Sequence, residues 1–122
     1  MSSESLHEAA EKLSPATIDR HRATVSLMEE LEAIDWYDQR IDAATDDTLK
    51  AILRHNRDEE KEHAAMVLEW LRRQDPVLDQ QLRTYLFKDG DIMSTEAEGG
   101  GGEDPTEGSL GIGDLRSEEV AP

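Results

Sequence analysis

From Ser14 to Lys88, apolar residues recur at steps of three and four, the repeat of a helix face rather than the two-residue alternation of a strand. Ser14-Pro15 reads as a helix start, with Ser as N-cap and Pro as the first helical residue. No Gly or Pro interrupts the chain from there to about Ala43. Residues 44–48, Ala-Thr-Asp-Asp-Thr, form a turn with Thr45 or Asp46 as the next N-cap. A second helix is predicted to about Gln74. Asp75-Pro76 repeats the cap-plus-proline signal, and VLDQQLRTYLF makes a short third helix. The two long helices, each roughly 28 to 30 residues and so about 45 Å, are joined by a short turn and should form an antiparallel hairpin. The fold class is all-α. Two amphipathic helices leave one apolar flank bare, and four are the usual minimum for a closed bundle, so two hairpins or more are expected to complete a bundle between chains.

Polar residues interrupt both apolar stripes. On the first helix the stripe runs Ala23, Leu27, Glu30, Ile34, Tyr37, Ile41, with Glu30 as the exception. On the second it runs Leu49, Leu53, Asn56, Glu60, His63, Val67, Trp70, interrupted by Asn56, Glu60 and His63. Counting from the turn puts Glu30, Glu60 and His63 at one level of the hairpin. An ionised carboxylate in a core must be compensated by a salt bridge, a shared proton or a metal. Neither stripe contains Arg or Lys. Glu60-x-x-His63 places both side chains on one helix face, the ligand pair of ferritin-like di-metal bundles. One hairpin offers half of such a set, Glu30 with Glu60 and His63, and two hairpins offer all of it. Two divalent ions would then be balanced by four carboxylates. The missing core and the half-site point to the same dimer. The plainer reading is a charged helix face with ordinary neighbours, since a lone Glu-x-x-His is common.

Glu29, Glu32 and Trp36 line an adjacent stripe. Spacing leaves two readings: acidic residues of two chains binding a divalent cation such as calcium, or a solvated flank with Trp36 packed at an interface. Tyr37 is placed either to hydrogen-bond a ligand or to pack. His7, His21 and His55 read as surface residues.

Composition narrows the chemistry. The formal net charge of -16 argues against nucleic acid and anionic membranes as partners. With no cysteine, thiolate metal sites and disulfides are excluded, and any metal must use oxygen and imidazole ligands. Those ligands do not separate iron from manganese. A hemerythrin-type site would need more than the four histidines present. The N-terminus has no apolar core of signal-peptide length, and no stretch approaches the roughly 20 apolar residues that span a bilayer. The chain is expected to be cytoplasmic and soluble.

Residues 1–13 are polar and expected to fray, and residues 14–88 form the helical domain. From residue 89 on there are ten acidic residues and one basic one, with Gly99 to Gly102 consecutive. Such a segment buries too little to offset its ordering entropy and is predicted to be a disordered C-terminal tail. It divides into an acidic linker over 89–107, the stretch GSLGIGDLR over 108–116, and a trailing 117–122. Leu110, Ile112 and Leu115 are isolated apolar residues there. They fit a segment that docks extended into a groove, although composition alone favours a loose tail.

The stretches HRATVSLMEELEAIDWYDQR and ILRHNRDEEKEHAAMVLEWLRR resemble the encapsulated ferritins, ferroxidases housed inside encapsulin nanocompartments. The resemblance covers about residues 14–88. It implies that two chains dimerise into a ferritin-like four-helix bundle, that dimers close into a homodecameric ring, and that Glu30, Glu60 and His63 of two chains make an inter-subunit di-iron centre that oxidises Fe(II) with oxygen or peroxide. It implies that Tyr37 lies behind the ligands and that Glu29, Glu32 and Trp36 form a site through which metal enters. It further implies that 108–116 is the peptide that docks on the encapsulin shell, where the iron is stored. The competing expectation is a non-catalytic acidic helical scaffold.

Overall fold

The computed structural model describes residues 5–99 of the chain, all-helical and without a strand among them. Helix α1 spans Pro15–Ala43. Its start is fixed by Ser14, whose Oγ accepts from the Thr17 backbone N–H at 3.1 Å. Pro15 follows at a position where the missing N–H costs nothing. The helix ends as Ala44 turns to extended backbone, with its N–H still donating to the Arg40 carbonyl. Helix α2 spans Asp47–Gln74. Its cap is Asp46, which accepts from the Leu49 N–H at 2.8 Å. The predicted hairpin is therefore present, and α1 and α2 pack against each other along their length.

The seam between them is thin. Among the described residues only Ile41 and Ala64 are buried. Ile41 lies near the turn. Ala64 follows His63, and its small side chain lets α1 come close at that level. Leu31, Trp36, Leu49, Ile52, Met66 and Trp70 are all exposed, Met66 by 58%. Burying a side chain of this size contributes about 1.5–3 kcal/mol, so a lone hairpin leaves most of its apolar stabilisation unused.

A second compact unit begins at Asp75. Helix α3 spans Pro76–Tyr85, capped by Asp75 Oδ1 accepting from the Val77 and Leu78 N–H groups at 2.9 and 3.1 Å. It stops two residues short of the predicted Phe87. Leu86 is extended, and Phe87 has a φ of 60° with its ring wholly exposed, so no packing draws the last turn onward.

Helix α4, Ile92–Gly99, lies against α3. The expectation of disorder from residue 89 is corrected over this stretch. Asp91 Oδ2 accepts from the Ser94 N–H at 2.9 Å and from its hydroxyl at 3.1 Å. That cap starts a helix ahead of the glycine run, at a scale the average composition of 89–107 conceals. At the other end, Ala10–Lys12 form a single 3-10 turn within the segment expected to fray. Leu110, Ile112 and Leu115 of the expected docking peptide, and residues 117–122, lie outside the described residues.

Candidate metal centre

Glu30 stands midway along α1, while Glu60 and His63 stand midway along α2 on one face. The hairpin brings the three together. His63 Nδ1 is 3.1 Å from Glu60 Oε1 and 3.7 Å from Glu30 Oε1. One ligand atom from each of the three lies within 4.8 Å of the others. Oxygen and nitrogen ligands at about 2.1 Å from one ion are at most about 4.2 Å apart, so small rotamer movements would close the set on a cation. The side chains of Glu30 and Glu60 are 24% and 25% exposed, and that of His63 is 42% exposed. The cluster is half-buried on the hairpin alone and open on one side.

Its electrostatics fit a site awaiting positive charge. Glu30 is raised above the usual carboxylate range, chiefly by its hydrogen bond with Glu60 and then by burial. Glu60 is lowered by accepting from Glu30 and from His63. His63 is raised, first by its hydrogen bond to Glu60. The two opposite directions share a first cause, the hydrogen bond between Glu30 and Glu60, which raises the one and lowers the other. A divalent cation held by both carboxylates would offset the coulombic repulsion that also raises Glu30.

The other expected residues are dispersed. Trp36 is 48% exposed, and Glu29 and Glu32 are exposed. These carboxylates belong to no group of three potential ligands among the described residues of one chain. Tyr37 makes no hydrogen bond to the cluster among the described residues; the Arg40 guanidinium lies 5.4 Å from its ring centroid. His7 and His55 are exposed, whereas His21 is half-buried.

Stripe counting missed Arg57. It sits one position past Asn56, and so outside the apolar stripe. Even so, its side chain is only 23% exposed and its Nη1 reaches across the seam to Asp38 Oδ1 at 3.0 Å. The available signal was its place three residues before Glu60, on the flank of the same face.

A ferritin-like helical hairpin carrying a carboxylate–histidine cluster defines the class, and comparison with known proteins agrees. Residues 5–89 match the EncFtn-like family, and the chain belongs to that family of encapsulated-ferritin-like proteins. It is 59% identical to the encapsulated ferritin-like protein of Rhodospirillum rubrum, over 96% of this chain and 91% of that one. It is 53% identical to the ferritin-like protein of Thermotoga maritima, over 87% and 93% of the two chains. A shorter match, 51% identical over 38% of this chain and 36% of the other, is to the encapsulin nanocompartment cargo protein EncC of Myxococcus xanthus. The crystal structure of protein ne0167 from Nitrosomonas europaea superposes with a TM-score of 0.70 at 59% identity, covering 71% of this chain and 96% of that one.

Proposed function

We propose that the protein is a ferroxidase whose substrate, Fe(II), is bound and oxidised where two hairpins meet, and that it acts as cargo of an encapsulin compartment that stores the product. The convergence of Glu30, Glu60 and His63 within 4.8 Å carries this reading. One chain presents a Glu from α1 and a Glu-x-x-His from α2, half of the ligand set of a di-iron bundle. A second copy, related by two-fold symmetry, supplies the other half and covers the apolar flank that the hairpin leaves exposed. Four carboxylates then offset two ferrous ions. The exposed Leu31, Met66 and Trp70 support such a partner. Closure of dimers into a decamer rests on the family resemblance.

The residues' part in the reaction is to hold two ions close in a half-buried site and to manage charge. Each Fe(II) gives up one electron, and two electrons with two protons convert oxygen to hydrogen peroxide, or peroxide to two waters. The ferric product is a stronger acid, hydrolyses and leaves. Tyr37, one helical step beyond Ile34, would stand behind the ligands once the bundle closes. Glu29, Glu32 and Trp36, exposed on one chain, would gather cations, ferrous or calcium, only in an assembly that sets copies side by side.

The printed names of two relatives, encapsulated ferritin-like protein and encapsulin nanocompartment cargo protein, support an encapsulin shell as partner and its interior as location. GSLGIGDLR, with Leu110, Ile112 and Leu115, is the segment proposed to dock. Among the described residues no helix is long and apolar enough to cross a membrane. Aerobic Fe(II) oxidation by the full chain, beside Glu60→Ala and His63→Ala at matched oligomeric size, tests the reading. Fast oxidation by the parent and background rates in both variants are expected, a loss of about 100-fold or more. Equal rates would leave an acidic helical scaffold.

A further inference from the structure

The Arg57 contact with Asp38 crosses the same seam as the metal cluster, and the cluster cannot hold that seam by itself. Glu30 and Glu60 face each other across the seam as two carboxyl groups, which do not by themselves draw the helices together. Their approach therefore depends on how α1 and α2 are registered by something else. Near this level the buried apolar contact is Ala64, which has little side chain to resist sliding. Arg57 lies three residues before Glu60, about 4.5 Å along the axis, and Asp38 lies eight residues beyond Glu30, about 12 Å along its axis. The guanidinium thus slants across the seam on the turn side of the cluster. Its fork is held at two points: Nη1 on Asp38 Oδ1 at 3.0 Å and Nε on Asp58 Oδ1 at 3.1 Å. Asp58, next in the chain, fixes the plane of the fork, and the free end is thereby aimed at α1. Arg57 is as withdrawn from solvent as the two ligand carboxylates, 23% exposed against 24% and 25%.

We propose that Arg57 is a positioning residue for the metal cluster, acting through Asp38 to set the register of α1 on α2 and hence the separation of Glu30 from Glu60 and His63. It touches no ligand atom among the contacts of the cluster and contributes no proton. The inference rests on the metal-binding reading of the triad. A slide of one residue, about 1.5 Å, would take Glu30 out of reach of an ion held by Glu60 and His63.

Co(II), followed by its visible absorption, serves as the probe on the full chain, with helicity and sedimentation measured alongside. Arg57→Gln is expected to bind Co(II) about tenfold more weakly than the parent, with helicity and oligomeric size unchanged. Asp38→Asn should lose as much. The double variant should be no weaker than either single one, because the two residues act through one contact. Arg57→Lys, which keeps the charge but not the two-point fork, should recover only part of the affinity. Parental Co(II) affinity in Arg57→Gln, or additive losses in the double variant, would overturn the inference. If Arg57→Gln does not fold, Asp38→Asn, at a half-exposed side chain, decides by the same criterion. A parent that binds no Co(II) would overturn the ligand assignment and this inference with it. A parent that binds, with Glu60→Ala blind to Co(II) and Arg57→Gln unaffected, would remove only the role of Arg57.

Discussion

Glu30 and Glu60 are the same residue type in nearly the same degree of exposure, yet the fold drives them apart. Glu30 is raised, chiefly by its hydrogen bond with Glu60, and Glu60 is lowered by that same bond and by His63. Replacing Glu30 by Gln keeps a hydrogen-bonding group towards Glu60 and removes the charge. In metal-free protein Glu30→Gln should therefore change the urea midpoint little, by less than about 1 kcal/mol, while abolishing metal binding. A large loss of metal-free stability would show that the Glu30 carboxyl makes a contact the amide does not replace. Glu69 illustrates the opposite case at the far end of α2. Hydrogen bonds from Arg72 and Arg73 hold its carboxyl down at about 2, from an ordinary 4.5. Its folded-state value is depressed, so its contribution to stability is present above pH 4.5 and is lost as pH falls towards 2. Carbon-detected NMR should show Glu69 titrating well below the ordinary carboxylate range, and Arg72→Gln should raise it back towards that range. The triad itself was legible in the sequence because burial of a carboxylate breaks an apolar period. Arg57 was not, because a long side chain reaches the seam from a position that the period assigns to solvent.

At the scale of elements, short capping motifs decide where the helices begin. Ser14-Pro15 and Asp75-Pro76 are explicit in the chain, and the structure begins α1 and α3 at Pro15 and Pro76. Asp75 satisfies two N–H groups at once, so Asp75→Ala should cost about 1 kcal/mol and raise hydrogen exchange at Val77 and Leu78. Unchanged exchange there would show that the cap carries no weight. The same chemistry explains the helix that composition hid. Asp91 with Ser94 is a cap like the others, but ten acidic residues and a glycine run in the surrounding segment speak louder on average. The end of α3 was less legible than its start. Phe87 continues the apolar period, but with no partner for its ring the chain leaves the helix before it.

At the scale of the whole molecule, the hairpin is unfinished in two ways. It buries only Ile41 and Ala64 among the described residues, and it offers three ligands where a di-metal bundle uses six. The proposed self-association would answer both needs with one symmetry operation. It is also the part that neither periodicity nor the geometry of a single chain specifies in number, because a bare apolar flank does not say how many copies would cover it. The chain as a whole, at -16, attracts cations. The most direct test is anaerobic Fe(II) binding to the full chain by equilibrium dialysis, in the parent and in Glu60→Ala at equal oligomeric size. If the triad is half of a di-iron centre, the parent binds roughly one more iron per chain than the variant, two for each pair of hairpins. Equal iron in the two proteins would contradict a metal centre built from Glu30, Glu60 and His63.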